Sequence, residues 1–463
     1  MRTMKTVMPA AAVLLLAACA GPRPEAPADS RPVMPAAWRD GSHAEAPPGA
    51  QWWTAFGDPA LTRMVDIALA HNPDVAGAAA RVLETQAALQ LSQAQQDPNI
   101  VGEVDGGRQS SVNAFGKQLI QNPRQAQVIL SYELDLFDRL AHASAAARAG
   151  MLASIAAQET VRLAVAATAA NLYIGLRSLD ARLALLHETL ASRAESLRIA
   201  RRRAGSGYAP ALELRQAEAE YHATAQLIPA TELAVARQEN ALSILLGAAP
   251  RQIERGLPLR ELGLPDAPAG LPSSLLRRRP DIAAVEQQLA AADSALDAAR
   301  DAFMPAIRLT ASGGYADSDA IANPVKLFLL GGSVLAPLFD SGRLRAQADG
   351  AAARRDQAAY AYRKTTLTAM REVEDAMAAV SRNEAQEQEL LQQRKALQQL
   401  LDIAVKRYRS GYASYLEQVD AQRSLLAAEL NVLQAHADRL GTAVTLFQSL
   451  GGGWEGRALT TSK

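Results

Sequence analysis

One structural unit is written twice in this chain of 463 residues. Gly207-Tyr208-Ala209, Leu212-Glu213 and Leu246-Gly247 return 204 residues later as Gly411-Tyr412-Ala413, Leu416-Glu417 and Leu450-Gly451. Pro73-Asp74-Val75 and Pro98-Asn99-Ile100 return 207 residues later as Pro280-Asp281-Ile282 and Pro305-Ala306-Ile307, and Leu136-Phe137-Asp138 reappears as Leu338-Phe339-Asp340. A period near 200 is far too long for a solenoid, so the chain reads as one unit duplicated and fused. Its function must come from what two such halves build together.

The prolines mark out each half. Residues 22–48 hold seven, which reads as a flexible tether, and 248–280 hold six more, which reads as a linker. None occurs from Arg124 to Ala209, nor from Leu338 to the end. Proline-free tracts permit very long helices, because an interior proline removes a backbone donor and clashes with the preceding turn. The first repeat (51–247) reads as a helix at about 73–97, a strand pair at 99–137, and helices at 140–204 and 209–247. The second repeat (281–451) reads the same way at 281–303, 305–339, 343–409 and 412–450, and a tail follows at 452–463. Pro229 should kink the second helix of the first half. In the last helix Val419, Leu426, Leu433, Leu440 and Phe447 recur every seven residues, interleaved with Leu416, Arg423, Leu430, Ala437 and Val444. That spacing predicts a coiled-coil seam with one polar intruder, Arg423.

In the strand pairs, Leu130-Ser131-Tyr132-Glu133-Leu134-Asp135-Leu136 and Ile307-Arg308-Leu309-Thr310-Ala311-Ser312 alternate apolar and polar residues. A barrel wall with lipid outside and water inside alternates so. So does a half-buried sheet on a soluble core. Four strands close no useful barrel alone, so a wall would be shared among several chains. No stretch after the leader is apolar for the 18 or so residues of a membrane-spanning helix.

The N-terminus favours the membrane. Arg2 and Lys5 precede an apolar run at Ala10–Ala18, and Leu16-Ala17-Ala18-Cys19 ends it at the single cysteine. The segment 1–18 reads as a lipoprotein signal peptide, with acyl groups expected on Cys19 and a tether at 19–50. Losing Arg2 and Lys5 leaves 46 basic residues against 48 acidic ones, a net charge of −2, which gives no footing for nucleic acid. His43, His71, His142, His187, His222 and His436 are scattered, with no metal-binding spacing, and no nucleophile or phosphate-loop motif occurs. No enzyme, metal or cofactor is expected beyond the covalent lipid.

Ordered matches run from Trp52-Trp53, Phe56-Gly57-Asp58-Pro59, Asn72-Pro73-Asp74 and Tyr132–Phe137 to Leu245-Leu246-Gly247, Leu275–Ile282, Pro337–Asp340 and Val419–Arg423. Over about 51–451 the chain resembles the outer membrane factor family of TolC-like export ducts, in its lipidated NodT-type efflux branch. The resemblance implies a mainly α protomer with a small β part: long coiled-coil helices, and four strands given to a twelve-stranded barrel built by a homotrimer in outer membrane lipid. It also implies two partners, a periplasmic adaptor and an inner membrane RND-type pump, and a role as exit duct for small molecules. A protein secretion duct and a non-channel periplasmic coiled-coil lipoprotein are the alternatives.

On the family pattern, the periplasmic gate would lie just above the second glycine turn, at Leu416, Glu417, Asp420 and Arg423. Three Asp420 carboxylates near an axis would narrow the pore and attract cations. Tyr408, Arg409 and Arg423 would tie neighbouring coiled coils by pairing with carboxylates. The adaptor would dock on the hairpin tips at Gly205, Gly207, Tyr208, Ala209, Gly411, Tyr412 and Ala413. Plain turn chemistry and a solvated helix face are the bland readings of these residues. The first strand loop, around Asn113–Arg124, looks longer than the second, around Asp317–Pro324.

Overall fold

A computed structural model describes residues 22–39, 49–208, 210–265, 272–319 and 323–454. Cys19, Ala209, the leader and most of the tail lie outside the described residues. The elements are α1 (Pro59–His71), α2 (Pro73–Ala94), β1 (Asn99–Gly106), β2 (Gln109–Val112), β3 (Gln118–Gln121), β4 (Arg124–Leu134), α3 (Arg139–Gly205), α4 (Ala211–Ala225) and α5 (Leu227–Leu245). The second half supplies α6 (Pro280–Asp301), β5 (Ala306–Asp317), β6 (Val325–Leu335), α7 (Arg343–Arg409) and α8 (Tyr415–Ser449). Both proline-free tracts deliver, since α3 and α7 each run 67 residues unbroken.

Three elements depart from the sequence reading. The segment expected as one helix over 209–247 is two, because Pro229 has no N–H for the Ala225 carbonyl and α4 stops at Ala225. Helix α1 was not anticipated; the Asp58 side chain caps it by accepting from the Ala60 N–H at 2.8 Å, with Pro59 as its first residue. The longer first loop contains a hairpin of its own, β2–β3, turning at Asn113–Lys117.

The chain forms two compact units, and each draws on both repeats. Among the described residues, one falls within 22–32, 80–155 and 284–365, the other within 33–79, 156–283 and 366–454. Duplication is thus a property of the chain, while compactness comes from interleaving the copies.

The first unit holds an antiparallel sheet in the order β1-β4-β5-β6. Its register pairs Ile100 with Leu130, Tyr132 with Leu309 and Ile307 with Val334, so these residues share a face with Val104, Val128, Ala311, Phe328 and Leu330. The opposite face carries Glu103, Gln127, Glu133, Arg308 and Thr310, with Gln127 donating to Glu103 at 2.7 Å. The apolar face is uncovered: Phe328, Leu330 and Val104 are all more than four-fifths exposed. Strands β1 and β6 each pair on one side only. An apolar, edge-open sheet of this kind needs both a lipid solvent and further strands.

Around this sheet, residues expected to be a loose tether are partly fixed. Pro22–Ser30 lies along α6 and α7, held by Arg23, Arg355 and Tyr360, so the description of 19–50 as flexible does not hold for these residues. Nearby, His142 Nδ1 lies 2.7 Å from Asp301 Oδ2. That bond, with lesser help from the charges of Asp301, Asp297 and Asp138, raises the His142 pKa against a lowering by burial. A raised folded-state pKa stabilises below the unfolded value of about 6.5 and is lost as pH rises through the folded one. The apparent melting temperature should therefore fall between pH 6 and pH 8, and His142→Gln should flatten that part of the profile.

The second unit is helical. Trp52, Trp53, Phe56 and Leu61 pack with Ala166, Ala170 and Tyr173 of α3 and with Leu440, Val444 and Phe447 of α8. Trp52 stacks on Phe447 at 5.4 Å between ring centroids. Asp58 is buried there but satisfied, accepting from Tyr173 Oη at 2.6 Å and the Leu257 N–H at 3.1 Å as well as from Ala60. Burial, then the bond to Asp58, drives the Tyr173 pKa far up.

Helix α8 buries two seams rather than one. Val419, Leu433, Leu440 and Phe447 of the predicted heptad are buried, whereas Leu416 and Arg423 are exposed. A second stripe, Gln418, Leu425, Val432 and Leu446, is buried as well. At its Arg439 position this stripe reaches α7, where Arg439 pairs with Glu384 and Glu387, and Asn383 donates to Thr442 at 2.8 Å. The repeated Leu-Gly pairs close the ends of α5 and α8. Asn72 Nδ2 donates to the Leu245 carbonyl at 2.9 Å, and Arg279 Nη1, at the equivalent place, donates to the Ser449 carbonyl at 2.9 Å.

Candidate functional site: the hairpin tips and the helices above them

Two hairpin tips end the helices of the second unit, and they have one geometry. Gly207 and Gly411 sit at φ +73° and +78°, left-handed values that glycine reaches without strain. Tyr208 N–H bonds the Arg203 carbonyl and Tyr412 N–H the Arg407 carbonyl, both at 2.9 Å, so each helix ends in the same Schellman closure. Gly205 closes α3, and Ala413 is half-buried in the second turn. Turn chemistry accounts for the glycines. It does not account for Tyr208 and Tyr412, whose rings stand 87% and 81% exposed.

Above the tips, α8 faces α3 and α4 through Tyr415, Val419, Leu197, Ala200 and Ala217. Glu220 of α4 is buried in this contact with only 3% of its surface exposed. Arg193 of α3, equally buried, lies 3.3 Å from Glu220 Oε2 and donates to Gln422 at 2.5 Å. From α8, Arg423 Nε donates to Glu220 Oε1 at 2.6 Å, and its Nη1 lies 3.8 Å from Asp420. One carboxylate therefore joins three helices. Burial lowers the Arg193 pKa although Glu220 works the other way, while the bond to Glu220 raises that of Arg423.

A second link lies closer to the tips. Tyr408 Oη donates to Glu213 of α4 and accepts from Arg203 Nη1 at 3.0 Å, which binds α7 to α3 and α4. Burial, then the bond to Glu213, pushes the Tyr408 pKa up to about 12. The Tyr415 ring packs on Tyr408 at 5.5 Å, and its hydroxyl is buried with no hydrogen-bond partner.

The sequence-predicted gate residues fall into two groups. Arg423 and Tyr408 pair with carboxylates on α4, across to the other hairpin of the same chain. Leu416, Glu417, Asp420 and Arg409 stay on the outside: Glu417 is 3.2 Å from Arg407, and the Asp420 side chain is 62% exposed. Sequence reasoning missed Glu220 and Arg193, which carried no signal, while Glu213 and Gln422 stood only inside the repeated Leu-Glu pair and the Val419–Arg423 stretch, without a role. Among the described residues no cluster of three or more His, Cys, Asp or Glu is arranged to hold a metal, and no helix is long and apolar enough to cross a membrane.

Comparison with known proteins covers both repeats. The family described as outer membrane efflux protein matches residues 64–248 and 271–452. The solvent efflux pump outer membrane protein SrpC of Pseudomonas putida is 36% identical over 414 residues, covering 86% of either chain. The pyoverdine export outer membrane protein OpmQ of Pseudomonas aeruginosa is 32% identical over 467 aligned positions, covering 98% of each. A crystal structure of a membrane protein from Pseudomonas aeruginosa superposes with a TM-score of 0.83 at 31% identity, covering 95% of this chain and 99% of that one. With both repeats matched and the duplicated helix-and-sheet fold in place, the chain belongs to the outer membrane efflux protein family, as the TolC-like outer membrane component of an efflux system.

Proposed function

We propose that three copies form the exit duct of a tripartite RND-type efflux system, passing small molecules from a pump and periplasmic adaptor through the outer membrane. The observation that carries this reading is the four-stranded sheet, apolar on one face and unpaired at β1 and β6. Three such sheets edge to edge give a closed twelve-stranded wall. The export of solvents and pyoverdine by SrpC and OpmQ, as their names state, favours small organic cargo here too. Acylation of Cys19 anchors the chain in the outer membrane, and the paired tips with exposed Tyr208 and Tyr412 receive the adaptor. The periplasmic gate is the ring of Asp420, which projects from α8 beside exposed Leu416.

Purified protein in planar bilayers should give discrete channels; absence of any unitary current sinks the duct reading. Asp420→Ala should then enlarge the single-channel current and raise cell uptake of large antibiotics by roughly two- to tenfold, because a ring of carboxylates at a constriction sets cation flux. Unchanged current places Asp420 away from the narrowest point and leaves the duct itself standing.

A further inference from the structure

We infer that strand β6 lays an apolar trough along the inner face of the duct wall, and that this trough, with the carboxylates of β1, takes elongated cargo with an apolar body and one positive charge. This rests on the duct reading and adds the class of molecule that its barrel favours.

Strand β6 breaks the alternation expected of it. A strand with lipid outside and water inside alternates apolar and polar residues. Phe328, Leu330 and Val334 fall on the outer face with Tyr132 and Leu309, as the register requires. Yet Val325, Leu327 and Leu329, on the inner face with Gln127 and Thr310, are apolar too, and all three are exposed. A contiguous row of large apolar side chains on a water-facing surface marks a contact surface, and lipid cannot be that contact on the inner face.

The register turns this row into a trough. Val325 pairs with Ala316, Leu327 with Gly314 and Leu329 with Ser312, so β5 offers only small side chains beside it. Gly314 has to stay bare, because a Cβ there would overlap the Ala126 carbonyl of β4. Two residues on, every inner position lies about 6.6 Å further along the strand, so the three side chains line about 13 Å. Ile129 and Val101 carry the apolar surface across β4 and β1 in the row of Leu329.

Charge is placed beyond the trough. Asp105 and Glu103 of β1 stand in the rows of Val325 and Leu327, three strands away, or about 14 Å at about 4.8 Å per strand. Among the described residues neither has a cationic partner, and Glu103 accepts from the neutral amide of Gln127 at 2.7 Å. At the helix end of the same face Glu133 is taken up by Arg139 at 2.5 Å and Arg308 at 3.8 Å. Uncompensated negative charge therefore sits in the loop half of the sheet, level with the trough. A molecule lying across the four strands covers Leu327 and Leu329 with its apolar body and brings an ammonium group to Glu103 or Asp105. An anion of the same shape meets like charge there.

The purified full chain in planar bilayers tests this, with potassium chloride current as readout. Octyltrimethylammonium should block at a concentration at least tenfold below tetramethylammonium, because only its chain reaches the trough, and octanesulfonate should not block. Leu327→Asn with Leu329→Asn should raise the half-blocking concentration of octyltrimethylammonium about tenfold and leave the current without probe unchanged. Glu103→Gln with Asp105→Asn should raise it as well. If the leucine variant forms no channels, Leu327→Ala with Leu329→Ala carries the comparison on the same terms. Equal block by the two cations, block by octanesulfonate, or block unaltered by either paired variant overturns the inference. So does block that Asp420→Ala removes and the paired variants keep, which puts the probe at the gate. All of these are read from open channels; absence of any unitary current overturns the duct reading instead, and the trough falls with it.

Discussion

Glu220→Ala is expected to loosen the contact between α8 and the α3–α4 hairpin by about 3–5 kcal/mol, because it strands Arg193 as a buried and unpaired charge. Arg423 loses the same partner but suffers less, since its side chain is 57% exposed and water can replace the carboxylate. In native-state hydrogen exchange this amounts to roughly a hundredfold to several thousandfold faster opening of amides near Arg193, Glu220 and Val419, with amides of the sheet unaffected. Glu220→Gln keeps one acceptor oxygen but turns an amide NH2 towards one of the two arginines, so it should recover only part of the loss. Pairing Glu220→Leu with Arg193→Met removes both buried charges together and should recover most of the loss, since an apolar replacement of a buried pair is often neutral. If the hairpins part to open the duct, Glu220→Ala cells will also leak large antibiotics. Equal exchange in Glu220→Ala and wild type would falsify the claim that this carboxylate joins the three helices.

Glu220 also shows where the sequence stops being informative. It lies in Ala217-Glu218-Ala219-Glu220, where two glutamates alternate with two alanines and nothing local separates them. Glu218 faces outwards to Arg215, whereas Glu220 turns in to Arg193 and Arg423. Only the placing of α4 against two other helices decides that, and such placing is set by contacts some 200 residues apart in sequence. Long helices were legible because proline exclusion acts residue by residue, and the ends of α3 and α7 fall within one or two positions of expectation. The sheet was legible in its alternation but not in its order, because the pairing of β4 with β5 joins separate repeats. The heptads of α8 gave one seam and concealed the other, since Gln418 and Arg439 interrupt the second stripe with polar groups, and only the fold brings Arg439 to Glu384 and Glu387 of α7. The segment Pro22–Ser30 was misread for a related reason. A proline-rich segment looks unstructured until a remote arginine, here Arg355, donates to its carbonyls.

The other large effect concerns the repeated Leu-Gly pairs. Gly451 lies at φ +92° with the Arg278 carbonyl packed against its α-carbon, and Gly247 at φ +69° is closed in the same way by the carbonyl of His71. A Cβ at either place would overlap a backbone oxygen that cannot swing aside as a side-chain end can. Left-handed strain costs about 1–3 kcal/mol and forced overpacking about the same again, so Gly451→Ala and Gly247→Ala should each cost roughly 2–6 kcal/mol. Gly411 provides the control, because its φ of +78° is comparable while the space around it is open. Gly411→Ala should therefore show the strain alone, roughly 1–3 kcal/mol. Thermal unfolding of the three purified variants separates the two causes. If Gly451 and Gly411 give equal losses, the close approach of Arg278 is worth nothing, and the fixed 204-residue spacing of these pairs reflects turn geometry alone. If Gly451 and Gly247 lose far more, each half is closed by the same contact between the end of its last helix and the residues before its Pro-Asp pair, with Asn72 and Arg279 as equivalent fasteners.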